Sequence, residues 1–326
     1  LNFVFLNSMD EYWESRLNDL KERFPEHTFI SRFDHNNPRD LIQEAEALIT
    51  GRLSEEELSK ASRLKVLFVP WTGVNSLPLK ELKSRSVTVS NNHGNAAIVA
   101  ERAVTLALAV TGRVVFLHKE MERGIWPGRT DDRDTSWFSM QGKTCALLGT
   151  GEIGVKIAEM LKAFRCRVVA FRRHRSKGKP ECIDVLVQSI NEAIEVADVV
   201  FVALPLTKET RGLLSAALLS SMKGKFLINI SRGEIVDEKG LYEALKNGVL
   251  AGAAIDTWYN YPSRERPATL PSVFPIHSLP NVVLSPHVAS WTEEGVQLMI
   301  DETVKSIVSY IVRGTPEHII DLDLAY

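Results

Sequence analysis

The stretch Gly149-Thr150-Gly151-Glu152-Ile153-Gly154 decides the fold. An apolar run, Thr144–Leu148, precedes it, and an amphipathic segment, residues 155–164, follows it. A lone G-x-G-x-x-G is a weak signal, but between a strand and a helix it has a mechanism. The first glycine permits the tight turn, the second lets the backbone approach a pyrophosphate, and the third lets helix and strand pack closely. The helix N-terminus then offers free N–H groups and a partial positive charge to the anion. Gly149, Thr150, Gly151, Glu152, Ile153 and Gly154 are therefore candidate cofactor-binding residues. The bland alternative is a glycine-rich strand–helix turn without a ligand. The regular pattern around it argues against that.

Outward from the motif, six runs read as strands: Thr144–Leu148, Arg167–Phe171, residues 199–204, residues 226–230, Gly252–Ile255 and Val282–Leu284. Helical patterns fit between most of them. Residues 237–247 form one, with Asp237 as N-cap and Gly248 just past the end. Six strands with crossovers predict a doubly wound parallel sheet of the Rossmann type. Upstream, residues 96–117 read as one long helix, too polar at Glu101, Arg102 and Arg113 to span a membrane. Residues 124–139 have no periodicity and predict an extended loop carrying Trp126, Trp137 and Phe138. Three exposed aromatic side chains on one loop would be costly in a monomer, so the loop fits an arm against a partner.

The first 90 residues predict a second α/β unit. Residues 3–6, 65–69 and 86–90 read as strands, and residues 12–24 as a helix with Trp13, Leu17, Leu20 and Phe24 at helical spacing. Ser54 and Glu57 make a capping box. Near the other end, residues 293–312 predict a long helix followed by a tail too small to be a domain. The expected division is residues 1–94 with 289–326 as a discontinuous substrate domain, and residues 95–288 as the dinucleotide-binding domain.

Bulk properties exclude several function classes. The 326 residues are 44% hydrophobic and 25% charged, with a net charge of -2, which points to no nucleic-acid or anionic-membrane partner. No run of about 18 apolar residues marks a membrane span. Cys145, Cys166 and Cys182 show neither a disulfide framework nor metal spacing, so no metal is expected and the reducing cytoplasm is the expected location.

The residues after the second strand decide between cofactors. They read Phe171-Arg172-Arg173-His174-Arg175, with no carboxylate to bind a ribose 2′-hydroxyl. A guanidinium binds a 2′-phosphate through two parallel hydrogen bonds. Arg172, Arg173 and Arg175 thus predict NADP(H) in preference to NAD(H), against the alternative of a solvated basic turn.

Three strand ends carry the remaining candidates: Asn229-Ile230-Ser231-Arg232-Gly233, Gly252-Ala253-Ala254-Ile255-Asp256 and Leu284-Ser285-Pro286-His287. With Pro205-Leu206-Thr207-Lys208-Glu209-Thr210 and the helix start at residues 95–101, they resemble the D-2-hydroxyacid dehydrogenase family, which includes glyoxylate and hydroxypyruvate reductases, phosphoglycerate dehydrogenases and formate dehydrogenases. The resemblance runs from about residue 65 to the end. It implies a Rossmann sheet inserted into a smaller flavodoxin-like α/β substrate domain, acting on a small 2-oxo or 2-hydroxy acid, in a homodimer joined through the cofactor domain. It further implies that His287 is the acid/base and that Arg232 anchors the substrate carboxylate. Both suit hydride transfer, which needs a proton relay at the hydroxyl and a cation at the carboxylate. By the same resemblance Asp256 holds the nicotinamide carboxamide, and Leu204, Pro205, Thr210, Ile230, Ser231 and Ala289 line the cofactor. Trp71, Thr72, Gly73 and Asn95 face the substrate. Trp291 with Trp71 is a candidate aromatic wall, weighed against packing between domains.

One position departs from the family. In Asp256-Thr257-Trp258-Tyr259-Asn260-Tyr261-Pro262, Tyr261 stands where the family has a glutamate that hydrogen-bonds the histidine. A phenol can hold an imidazole, but it is neutral near pH 7 and cannot stabilise imidazolium as an anion would. Glu265 follows shortly and is a weaker substitute. Two alternatives therefore stay open: a formate-type dehydrogenase that needs no proton shuttle, and a catalytically weak NADP(H)-sensing protein that acts through a partner.

Overall fold

A computed structural model describes residues 1–128, 136–173 and 178–326. They divide into two units: Leu1–Asn95 with Trp291–Tyr326, and Ala96–Ser290.

In the first unit, β1 (Asn2–Phe5), β2 (Thr28–Ile30), β3 (Ala47–Ile49), β4 (Val66–Phe68) and β5 (Thr88–Ser90) form a parallel sheet in the order β2-β1-β3-β4-β5. The strands are apolar because helices cover both faces. On one face, α1 (Glu11–Arg23) starts at Asp10, whose side chain accepts the Trp13 N–H, and buries Trp13, Leu17 and Leu20. These pack with Phe3, Phe5 and Phe68 and with Ile300 and Ile307 of the long C-terminal helix Glu293–Arg313. On the other face, α2 (Glu55–Lys60), with the Ser54–Glu57 capping box formed, and α3 (Leu79–Ser84) bury Leu58 and Leu82. The chain end returns to this sheet: Ile320 N–H donates to the Val89 carbonyl at 2.8 Å. β2 and β3, three residues each, were not among the expected strands.

The second unit opens with α4 (Ala96–Thr111) and α5 (Val114–Glu122). The single helix expected over residues 96–117 is thus corrected to two. Arg113 sits in the left-handed region at φ 52° and breaks the hydrogen-bond ladder beside Gly112, the poorest non-proline helix former. The sheet follows: β6 (Thr144–Leu148), β7 (Arg167–Phe171), β8 (Val185–Val187), β9 (Val199–Val202), β10 (Phe226–Asn229), β11 (Gly252–Ile255) and β12 (Val282–Leu284). All its pairs are parallel, in the order β12-β11-β10-β9-β6-β7-β8. Helices α6 (Glu152–Ala163), α7 (Ile190–Val196), α8 (Ala216–Ser221) and α9 (Glu238–Lys246) provide crossovers, and Glu293–Arg313 is α10. The extra edge strand β8 is half-buried throughout, which leaves no alternation to read. The order reverses between β6 and β9, so the carboxyl ends of β6, β9, β10, β11 and β12 line the edge where ligands bind in open α/β sheets.

Phe138 is also corrected. It is not an exposed loop aromatic; its ring centroid lies 5.2 Å from that of Phe226, and its N–H donates to the Thr111 carbonyl. Trp126 and Trp137 are exposed, at 63% and 61%. Residues 129–135 of the expected arm lie outside the described residues.

Candidate active site

The turn after β6 has the construction its glycines imply. Gly149 has φ 103°, and a Cβ there would stand 2.5 Å from the Ala203 carbonyl oxygen. Gly154 packs equally closely on the Gly149 backbone, so helix and strand can approach. Gly151 is different: nothing lies within 4 Å of where its Cβ would be. It is the N-cap of α6 with no side-chain cap, so the first N–H groups of the helix, from Glu152 and Ile153 on, face an open cradle. The Thr150 hydroxyl is buried and has no partner among the described residues. An open cradle, an uncapped helix end and an orphaned hydroxyl fit a dinucleotide pyrophosphate.

At the end of β7, Arg172 donates to the Gly178 carbonyl while its Nε is buried without a partner among the described residues. Arg173 pairs with Glu209. Arg175 lies outside the described residues.

The loop after β9 closes on itself. Thr210 Oγ1 donates to the Pro205 carbonyl at 2.6 Å and accepts the Thr207 N–H at 2.7 Å. Ser231 donates to the Leu204 carbonyl, tying this loop to the one after β10. Leu204, Ile230 and Ala289 are buried apolar positions. Asn229, missed in the sequence, is the brace of this region. Buried at 2% exposure, it accepts the Ser231 N–H at 3.1 Å and donates to the Arg232 carbonyl at 3.0 Å. Arg232 in turn donates to the Ser231 carbonyl at 2.7 Å. Gly233 lets this loop pass the next, since a Cβ there would meet the Trp258 carbonyl oxygen at 2.5 Å.

Asp256 is fully buried. It accepts from the Ser285 hydroxyl, from Val288 N–H at 3.1 Å and from Ala289 N–H at 3.1 Å. Both carboxylate oxygens therefore grip the loop that carries His287. That residue sits at φ 58°, a left-handed conformation that costs a non-glycine residue about 1–3 kcal/mol and persists only when its surroundings hold it. The imidazole is exposed along one side. Its pKa is nonetheless lowered from 6.5, first by loss of water around the ring and then by the positive charge of Arg232; Asp256 pulls the other way. Arg232 and His287 are thus electrostatic neighbours although 55 positions apart, as the strand order β12-β11-β10 requires.

Tyr261 meets His287 ring to ring, with centroids 5.5 Å apart and planes inclined at 52°. Its hydroxyl accepts the Trp258 N–H at 3.0 Å, closing the turn. Burial raises the phenol pKa, so the group beside the imidazole stays neutral.

In the other unit, the Trp71 indole covers Gly51, where any Cβ would collide with it. Two asparagines fix the loop: Asn91 Nδ2 donates to the Thr72 carbonyl at 2.8 Å, and Asn92 N–H to the Trp71 carbonyl at 3.3 Å. Thr72 Oγ1 returns a bond to the Asn92 carbonyl at 2.9 Å, and Gly73 follows half-buried. Gly51, Asn91 and Asn92 were not singled out in the sequence. Asn95 is buried and Trp291 is 77% exposed; no ring contact joins Trp291 to Trp71 among the described residues. No group of three or more His, Cys, Asp or Glu among the described residues could hold a metal, and no helix there is long and apolar enough to cross a membrane.

The chain is similar to known proteins over most of its length. Residues 104–289 match the family described as D-isomer specific 2-hydroxyacid dehydrogenase, NAD binding domain. A glyoxylate reductase of Thermofilum pendens is 31% identical over 85% of this chain and 80% of its own. One from Pyrococcus furiosus is 29% identical over 94% of this chain and 88% of its own. Among solved structures, an acyclic imino acid reductase in complex with NADPH and D-Arg superposes with a TM-score of 0.80 at 26% identity, covering 98% of this chain and 100% of that one.

Proposed function

The chain belongs to the D-isomer-specific 2-hydroxyacid dehydrogenase family, and we propose that it reduces small 2-oxo acids to D-2-hydroxy acids with His287 as proton donor and Arg232 as carboxylate anchor. It is a nicotinamide-dependent oxidoreductase. When bound, the nicotinamide supplies the hydride to C2 of the substrate. Arg232 pairs with the carboxylate through its planar fork and polarises the adjacent carbonyl. His287 gives its proton to the oxygen as charge develops there and becomes neutral; in oxidation it takes that proton back. Asp256 holds the histidine loop, leaving only its outer lone pairs to a carboxamide. The observation that carries the reading is that Arg232 and His287 follow β10 and β12, one strand apart at the carboxyl edge of one sheet, where the charge of Arg232 helps lower the histidine pKa.

The finer parts of the proposal have separate support. Residues 95–288 serve the cofactor, and residues 1–94 with 289–326 the substrate, with Trp71, Thr72, Gly73, Asn95 and Trp291 as substrate contacts. Arg172 and Arg173 favour NADP(H), with a 2′-phosphate displacing Glu209 from Arg173. A homodimer through the cofactor unit is favoured by α5, which buries no residue and exposes Val114, Val115 and Met121 beside Ile125 and Trp126. The cytoplasm is the proposed location.

A second reading has its own observation. Beside His287 stands a neutral phenol in place of an anion, so a protonated imidazole is poorly stabilised. A 2-imino acid in its iminium form already carries the proton, and the similar imino acid reductase makes that substrate class worth testing. The experiment is a screen of NADPH oxidation against small 2-oxo acids, with and without ammonia or amines, using His287→Ala as control. Turnover of the oxo acid that depends on His287 supports the first reading. Turnover only with amine present and independent of His287 supports the second.

A further inference from the structure

Arg102 lies on α4, 183 positions before its partner Ser285. Its Nη2 donates to Ser285 Oγ at 3.1 Å. Its Nε is buried with no partner among the described residues. A surface arginine would turn this donor to water; here the guanidinium is held in place although one of its donors stays unpaired.

The bond to Ser285 has a directional consequence. A guanidinium only donates, whereas a hydroxyl has one proton to give. With Arg102 donating to it, Ser285 must direct its proton to Asp256, as it does. Asp256 also accepts from Val288 N–H and Ala289 N–H. Ser285 is also fixed by its backbone: its N–H donates to the Ile255 carbonyl at 2.9 Å, and its carbonyl accepts Trp258 Nε1 at 2.8 Å. His287 lies between these two anchored segments in a left-handed conformation at φ 58°.

We infer that Arg102 is a positioning residue for proton transfer: through Ser285 and Asp256 it locks the strained turn that presents His287. This rests on the reading of His287 as the acid/base. The chain of contacts is a guanidinium, a hydroxyl whose polarity it sets, a carboxylate, and the two backbone amides that follow the histidine. Arg102 donates to Ser285 and reaches the histidine turn only through it. Its principal effect is therefore on the chemical step.

The test is steady-state reduction of the best 2-oxo acid by four full-length proteins: wild type, Arg102→Met, His287→Ala and the double variant. Loosening the turn lowers kcat of Arg102→Met by roughly tenfold. KM for the oxo acid and Kd for the cofactor change by less than about twofold. Arg102→Lys, which can still donate to Ser285, recovers most of the loss. In the His287→Ala background, the Arg102→Met change alters kcat by less than about twofold, because the group it positions is gone. An equal loss in both backgrounds, or a loss that appears in cofactor Kd, overturns the inference. Should Arg102→Met fail to fold, Ser285→Ala removes the same link with a smaller change, and wild-type kcat in that variant overturns the inference. Wild-type kcat in His287→Ala would instead sink the acid/base reading. A crippled His287→Ala beside a fully active Arg102→Met would sink this inference alone.

Discussion

Tyr261 lies against His287 with ring centroids 5.5 Å apart, and its hydroxyl is turned away to the Trp258 N–H. No anion therefore replaces the glutamate at this point, and burial and Arg232 together lower the histidine pKa below 6.5. Reduction needs the protonated imidazole. Its kcat/KM is present below the histidine pKa and is lost as pH rises through it, so the wild-type limb lies below that of an unperturbed imidazole. Tyr261→Glu places an anion beside the ring and moves that limb up by about one unit or more. The pH profile of kcat/KM for both proteins checks this, and superimposable limbs would remove Tyr261 from the control of His287.

The glycines of the phosphate turn separate fold from ligand. Gly149→Ala meets a carbonyl and a positive φ, and should destabilise the protein by about 1–3 kcal/mol. Gly151→Ala meets nothing within 4 Å, so its melting temperature should stay near wild type. Its methyl would occupy the cradle, and cofactor Kd should rise by about tenfold or more, a loss of about 1.4 kcal/mol. Unchanged affinity in Gly151→Ala would place the pyrophosphate elsewhere.

For the cofactor preference, Arg172→Ala with Arg173→Ala should lower kcat/KM for NADPH by roughly tenfold to a hundredfold, the range for losing one or two charge-assisted hydrogen bonds. The value for NADH should change little. Equal losses for both cofactors would assign the two arginines to the structure of the turn.

Assembly can be read from size. Met121→Glu with Trp126→Glu puts two charges on the exposed apolar surface of α5 and the segment after it. Gel filtration should show a dimer for wild type and a monomer for the double variant at micromolar concentration. A wild-type monomer would leave that surface without the proposed partner.

Much of this site is legible in the sequence because its parts are local. The phosphate turn declares itself between β6 and α6, and Arg232, Asp256 and His287 each end a recognisable apolar run. What is not legible depends on distant segments meeting. Asn229 reads as an ordinary strand-end residue until the loop of Ser231 and Arg232 folds over it. Gly51 gains its meaning only from the Trp71 indole, and Arg102 only from Ser285. The break at Arg113 escapes because one glycine in an apolar helical pattern is commonly tolerated, and the left-handed turn is a tertiary outcome. Tyr261 could have bonded the imidazole by composition alone; the tight turn at Trp258 claims its hydroxyl first.

The central claim is that His287 and Arg232 serve one substrate. The most direct measurement is kcat and KM for 2-oxo acid reduction in His287→Ala and Arg232→Ala, with cofactor Kd measured on the same samples. His287→Ala should lower kcat by about a hundredfold or more with KM near wild type, and Arg232→Ala should raise KM and lower kcat together. Cofactor Kd should be preserved in both. Full reduction by either variant, with the cofactor bound as in wild type, would contradict the account.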